Sequence, residues 1–355
     1  MMHRCIHRCV TALVVSLALA CAARADPVAQ FYKGRTITLV VGYGPGGGYD
    51  LFARMLARHL GRFIPGNPSV VVQSMPGAGS LRATNWLYAV APRDGTVIAT
   101  FARDMPLLAT LKINRAVAFD PRKFTWLGSA SDFSHDAYLL TVRPDAPALS
   151  IEDARRPGTR PITLGSTAVG SAGSDVPLIL RDTLGINISV VNGYADSGAI
   201  FLAVDRGEVN GRTVDLSSVK ALRPQWLAPN SGMRTLVQFA RATRHPEFPT
   251  VPTAREMARD ADARAVIEFA ELSYRISRPF AAPPGVPSER AKALRDAFLA
   301  VNHDPRYLAE AARLRLEVSP IGADEVAATI DRIATAPPSV LEYLRRLMGG
   351  NKHGG

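Results

Sequence analysis

Apolar residues follow two rhythms along this chain. Thr36 to Val41 is a short, β-branched apolar run that fits a buried strand, and Asp50 to Leu60 has helical spacing, with Leu51, Met55 and Leu56 joined by Phe52 and Leu60 on one broad face. The same alternation continues. Strands are predicted over Ser69–Gln73, Thr96–Phe101, Tyr138–Val142, Ile162–Gly165, Ile188–Val191 and Thr235–Phe239. Helices are predicted after the Gly77–Ser80 turn as far as Ala91, over Val176–Leu184 and over Ala195–Arg206. Alternating strands and helices imply an α/β architecture with a largely parallel sheet. The last hundred or so residues read as helices over Ser288–Asn302, Asp304–Arg315, Ala323–Ile333 and Ser339–Met348. Ser288 and Asp304 are expected to cap the first two, and Pro305 suits a first helical position. The tail from Gly349 to Gly355 is expected to be disordered.

The first 25 residues break this pattern. Arg4 and Arg8 precede an apolar run from Val10 to Ala20, and Ala23-Arg24-Ala25 follows as a small-x-small cleavage pattern. This is the layout of a secretory signal peptide, and the run is well short of the roughly 20 residues of a membrane-spanning helix. The mature chain is therefore expected to begin near Asp26 and to be periplasmic. Lipoprotein anchoring at Cys21 is the less favoured alternative, because Ala18 stands where such signals usually carry Leu. All three cysteines, Cys5, Cys9 and Cys21, fall inside the leader, which leaves the remainder without a disulfide, a thiolate nucleophile or a cysteine metal site. The remaining length suits two lobes of ordinary domain size. A net charge of +11 raises the question of nucleic acid. The basic residues are scattered, with only Arg155-Arg156 and Arg345-Arg346 as adjacent arginine pairs. With an export signal, that argues against it.

Candidate chemistry then falls to the small-residue turns. In a parallel sheet, ligands bind beyond the carboxyl ends of strands, where helix N-termini gather. Gly46-Gly47-Gly48, Gly77-Ala78-Gly79-Ser80 and the turn from Ser166 to Ser174 are all expected there. Glycine allows close backbone approach, and the free N–H groups of a first helical turn favour an anion without any Lys or Arg. Gly42-Tyr43-Gly44-Pro45-Gly46-Gly47 also satisfies the dinucleotide pattern. Against that reading, the second strand ends in Gln73-Ser74 with no acid for a ribose, and Pro45 removes an N–H from the phosphate cradle. No nucleophile elbow occurs, and His59, His135, His245, His303 and His353 have no metal-ligand spacing. His59 reads as a surface residue, and His135-Asp136 as a structural loop pair. No catalytic residue, metal or cofactor is expected.

The motifs, taken in order, resemble the Bug-type receptors of tripartite tricarboxylate transporters over nearly all of the mature sequence. The resemblance rests on Tyr32 with the strand Ile37–Val41, on Pro45-Gly46-Gly47-Gly48-Tyr49-Asp50, and on Pro76-Gly77-Ala78-Gly79. It continues through Pro92-Arg93-Asp94-Gly95, Gly165-Ser166 with Gly170-Ser171, and Gly193-Tyr194 with Arg206-Gly207-Glu208-Val209-Asn210-Gly211. Val251-Pro252-Thr253 and Ala282-Pro283-Pro284-Gly285-Val286-Pro287 complete it. The resemblance implies a type II periplasmic-binding-protein fold, two α/β lobes joined by two hinge crossings around a ligand cleft. The lobes are expected as 26–134 with 243–348, and 135–242. It implies a monomeric receptor that binds a small carboxylate and passes it to integral membrane transporter subunits. A sensor that presents its closed form to a signalling partner, or an exported enzyme on the same scaffold, are the alternatives. Carried over by position, Tyr43, Gly46, Gly47, Gly48, Tyr49 and Asp50 would form one wall, with Asp50 fixing the turn or capping the helix. Ser166, Thr167, Ala168 and Ser171 would form the other, with Ala78, Tyr194 and Asp215 at the edge. The chain departs from the family at Tyr49, where relatives carry Thr or Ser, and at Ser174-Asp175, where many carry His.

Overall fold

A computed structural model describes residues 26–133 and 136–349 of the chain. The leader, His135 of the His135-Asp136 pair and the tail beyond Gly349 lie outside these residues. Among the described residues no helix is long and apolar enough to cross a membrane.

Two mixed sheets organise the chain. The first contains β1 (Thr36–Val41), β2 (Ser69–Ser74), β3 (Val97–Thr100), β4 (Thr125–Ser129), β10 (Pro279–Ala282) and β11 (Ile321–Gly322), in the order β11-β4-β10-β3-β1-β2. The second contains β5 (Tyr138–Val142), β6 (Ile162–Gly165), β7 (Ile188–Val191), β8 (Gly211–Asp215) and β9 (Arg234–Phe239), in the order β7-β6-β8-β5-β9. The chain passes from the first sheet to the second after β4 and returns after β9. The expectation of a largely parallel sheet is corrected by these crossings. Each sheet includes a strand that has just arrived from the other, β5 and β10, and each runs antiparallel to both neighbours. β11 is also antiparallel to β4. The strands joined by local helical crossovers stay parallel, as in β1 with β2 and β3, and β6 with β7 and β8.

The helices that flank the sheets are α1 (Pro27–Tyr32), α2 (Gly48–Leu60), α3 (Leu81–Ala89), α4 (Met105–Leu111), α5 (Ile151–Arg155), α6 (Ala172–Leu184), α7 (Ser197–Arg206), α8 (Leu216–Leu222), α9 (Ala254–Met257), α10 (Ala261–Ala270), α11 (Ser288–Asn302), α12 (Pro305–Leu314), α13 (Ala323–Ala334) and α14 (Pro338–Gly349). The apolar face read for α2 is real. Phe52, Met55, Leu56 and Leu60 are buried against Ile37 and Leu39 of β1 and against Phe298 of α11. Ser288 does not cap α11; Pro287 occupies that position and Ser288 begins the helix. Asp304 does cap α12, accepting from the N–H groups of Arg306 and Tyr307, both at 3.0 Å. Asp304→Ala should cost about 1 kcal/mol, read as a lower urea midpoint at unchanged slope. His59, expected at the surface, is held by Glu310 at 2.6 Å and by the edge of the Tyr307 ring.

Packing also redistributes the later helices. Ala254 of α9, Val266, Ile267 and Ala270 of α10, and Leu341, Leu344 and Met348 of α14 share a core with Leu140, Leu164, Ile179 and Leu180 beside the second sheet. The sequence reading had placed residues 243–348 with the first sheet. α11, α12 and α13 do pack there, whereas α9, α10 and α14 do not. Which sheet an amphipathic helix covers depends on the surface left bare, and chain order does not encode that.

Candidate functional site

β1, β3, β6 and β8 end at a cleft between the two sheets, with about 630 Å³ of free space, mouth included. β1 runs into the glycine turn. At Gly42 a side chain would collide with the Ser80 hydroxyl, which accepts the Ala102 N–H at 3.1 Å. Gly46 takes φ +88°, a left-handed conformation that favours glycine, and donates its N–H to the Asp50 carboxylate at 2.8 Å. Asp50 is buried and also receives Arg54 Nε at 2.9 Å, so it closes the turn, as one of its two expected roles required. Tyr43 and Tyr49 stack with ring centres 4.9 Å apart. Gly47 and Gly48 at the start of α2 lie against the other wall: a Cβ at Gly47 would sit 3.3 Å from Ser197 Cβ, and one at Gly48 would meet the Ser218 hydroxyl.

The opposing wall is the turn after β6. Ser166 is fully buried and bonds the Ser171 hydroxyl at 3.1 Å, while Ser171 donates to the Ala168 carbonyl at 2.7 Å. Of the residues expected at the site, Tyr43, Gly47, Gly48, Tyr49, Thr167, Ser171 and Asp215 line the cleft. Gly46, Asp50, Ala78, Ser166, Ala168 and Tyr194 do not. Gly46, Asp50 and Ser166 shape the turns behind the lining, Ala78 is exposed, and Tyr194 packs beside Phe201 and Trp226. Of the His135-Asp136 pair, Asp136 is anchored by the Ser217 hydroxyl at 2.7 Å and its N–H at 3.2 Å, so it pins the start of α8.

The largest correction is electrostatic. The site was expected to work without Lys or Arg, yet Arg103, Arg212 and Arg278 all line it, each no more than 5% exposed. Arg103 follows β3 and lies among the rings of Tyr274, Phe133, Tyr138 and Tyr49, at 4.8, 5.1, 5.3 and 5.8 Å from their centres. Its Nε donates to the Tyr49 hydroxyl at 3.3 Å, and its Nη1 has no partner. Burial works against its charge, but the Tyr49, Tyr274 and Tyr138 phenols and the Asp215 carboxylate outweigh that and keep it cationic. Arg212, on β8, lies over Phe201 at 4.2 Å and donates both Nη groups to Ser197, leaving Nε unpartnered. Burial lowers it to about 10, which still leaves it charged at neutral pH. Arg278 donates Nη2 to Asp215 at 2.7 Å, and its Nε also lacks a partner. Asp215 is pushed up by burial but held at about 2 overall by Arg278 and Arg103. Its expected place at the cleft edge thus becomes that of a counter-ion.

Asp104 also lines the cleft and is 5% exposed. It precedes α4 without capping it and shares the cleft lining with Ala172 and Gly173 at the start of α6. Burial pushes its carboxyl up to about 6, against the pull of Arg103. Asp175, in the first turn of α6, accepts the Gly170 N–H at 3.1 Å and so fixes the turn that leads into the helix. Burial and the nearby Asp104 raise it well above the usual carboxylate range. Sequence reasoning overlooked the arginines because each is isolated in the chain, with no recognisable motif around it. The available signal was position: Arg103 and Arg278 flank short apolar strands, and Arg212 interrupts one. Among the described residues, no group of His, Cys, Asp and Glu could hold a metal ion.

No family model matches the chain. Protein BugT of Bordetella pertussis is 27% identical over 250 residues, 69% of this chain and 72% of the relative. A UPF0065 protein of Cupriavidus necator is 26% identical over 309 residues, 84% of this chain and 83% of its own. Among solved structures, the periplasmic binding protein BugD superposes with a TM-score of 0.69 at 19% identity, over 89% of this chain and 98% of its own. MatC of Rhodopseudomonas palustris, solved with bound malate, gives 0.65 at 20% identity, over 86% and 99%. These structures share the two-sheet periplasmic-binding-protein fold. With curated relatives matched over most of their length, and with the glycine turn and the Ser166 turn facing each other across one cleft, the chain is similar to the Bug-type receptors of tripartite tricarboxylate transporters.

Proposed function

We propose that the protein is an extracytoplasmic receptor that holds a small carboxylate between its lobes and delivers it to a tripartite tricarboxylate-type transporter. The observation that carries this reading is the set of unpartnered guanidinium N–H groups of Arg103, Arg212 and Arg278 around one cleft. A buried donor without a partner costs about 1–3 kcal/mol, and a ligand acid group would satisfy such donors with charge-assisted bonds. The relatives point the same way. A Rhodopseudomonas palustris protein superposing with a TM-score of 0.69 was solved with adipate, and MatC with malate. No step of bond making is proposed, and the receptor acts as a monomer in the periplasm.

The two sheets serve as the lobes, and the crossings near residues 130–137 and 240–278 serve as hinges. Ligand would favour closure by bridging the lobes, because Arg103 comes from one and Arg212 from the other. Gly47→Val tests closure. The added side chain points at Ser197 and should weaken ligand affinity by about tenfold, with a larger radius of gyration in solution scattering. Ligand binding itself is tested by thermal shift on ligand-stripped protein across mono-, di- and tricarboxylates, amino acids and sugars. At 100 times its dissociation constant a ligand adds about 2.7 kcal/mol. Shifts confined to carboxylates support the reading, and shifts only with uncharged sugars would sink it.

A further inference from the structure

Charge in the cleft points to a narrower ligand class, an inference that rests on the receptor reading above. Three arginines and two aspartates line the cleft, and Arg278 is already neutralised by Asp215 at 2.7 Å. Arg212 and Arg103 then remain against Asp104, an excess of one positive charge. One acid group balances that excess. A second would be buried without a counter-ion, which protein interiors rarely tolerate.

The helix ends lead to the same conclusion. A helix N-terminus is the other natural seat for an anion, and the protein's own carboxylates stand at several of those that meet this cleft: Asp196 caps α7 and Asp215 caps α8. Asp50 takes the Gly46 N–H beside α2. Asp175 takes the Gly170 N–H beside α6, and Asp104 lines the cleft from the other lobe together with Ala172 and Gly173 at the start of that helix. Ser171, at the capping position of α6, makes no side-chain capping bond of its own, and the negative charge nearest that end on the facing wall is Asp104. What remains of the lining suits an uncharged body, with Ile200, Val214 and the rings of Tyr43 and Tyr138.

We propose that Asp104 is a specificity-determining residue that makes this receptor select ligands with a single acid group, by holding a negative charge on the cleft lining where a second acid group would come to lie. The ligand's one carboxylate goes to Arg103 and Arg212, and its other end meets Asp104 and the apolar wall. The charged and titratable groups facing Asp104 are Arg103 beside it, Asp175 from α6, Tyr43 from the first turn, Tyr138 from β5 and Tyr274 from the second crossing. None of the partners from other elements is a cation that could accommodate an added negative charge.

Calorimetric titration of matched pairs tests this at neutral pH: hexanoate against adipate, pentanoate against glutarate, and benzoate against phthalate. In the wild type the mono-acid of the best-binding pair should bind about tenfold tighter or more than its di-acid. In Asp104→Asn, which removes the charge from the cleft lining, that ratio should shrink by about tenfold. A wild type that binds the di-acid as tightly as its mono-acid overturns the inference while leaving the carboxylate receptor intact. So does a folded variant with an unchanged ratio. Binding of neither acid in any pair would overturn the receptor reading, and the selectivity with it.

Discussion

Arg103→Met should reduce carboxylate affinity by about a hundredfold or more while leaving the protein as stable as the wild type. The two outcomes separate because Arg103 lines the proposed ligand cleft but makes no ion pair among the described residues. A hydrogen bond to a charged group contributes about 1.5–3 kcal/mol, and each 1.4 kcal/mol is a factor of ten in affinity. Losing the guanidinium removes at least one such bond and the charge that offsets the ligand's own. On the stability side, burial of the cation is offset by the rings of Tyr274, Phe133, Tyr138 and Tyr49. Those contacts are worth about 0.5–2 kcal/mol. An apolar side chain of similar length regains much of this by packing on the same rings, since replacing a buried charge with a hydrophobe is often neutral or stabilising. Calorimetric titration and urea unfolding on one preparation check both halves. Affinity within about threefold of the wild type would remove Arg103 from the binding site.

Asp215→Ala should have the opposite profile and destabilise the fold itself by about 3–5 kcal/mol, the usual cost of leaving one partner of a buried ion pair alone. Arg278 is 2% exposed and would lose the carboxylate that receives its Nη2. The variant also loses the cap of α8, where Asp215 accepts the Ser218 N–H at 3.0 Å. Arg278→Met in the same chain should recover most of the loss, because the orphaned charge is gone. The wild-type pair sets a pH dependence of known sign. The Asp215 carboxyl is held at about 2 in the fold, below the ordinary aspartate value of about 3.9. Its contribution is therefore complete above the ordinary value and is lost as pH falls through about 2. Urea midpoints should drop between about pH 4 and pH 2 in the wild type, and by less in Asp215→Ala. Equal slopes in the two proteins would contradict the assignment of that pair.

The walls of the cleft were legible in the sequence because they are local. A glycine run between an apolar strand and an amphipathic segment can only be a tight turn into a helix. Thus Gly47 and Gly48, with Tyr43 and Tyr49 beside them, lie on one cleft with Thr167 and Ser171 of the second turn. Asp304 and Pro305 marked the start of α12 for the same reason. The strands that escaped the reading were the two-residue β11 and, among the longer ones, β4, β8 and β10. Each of these last three is short and carries Gly, Arg or Pro within four or five residues, which weakens the alternation.

Periodicity and turn chemistry act over a few residues, so the sequence by itself determined the alternation of strands and helices, the two glycine- and serine-rich turns and the family resemblance they carry. Three features needed the tertiary structure: which sheet α14 covers, the reversed direction of β5 and β10, and the meeting of Arg103, Arg212 and Arg278 around Asp215. Those three arginines lie between 66 and 175 positions apart in the chain, and nothing near any one of them announces the other two. Their charges interact only because folding buries them in one cleft of low dielectric, where a counter-ion and an unpartnered N–H acquire energies they lack in water.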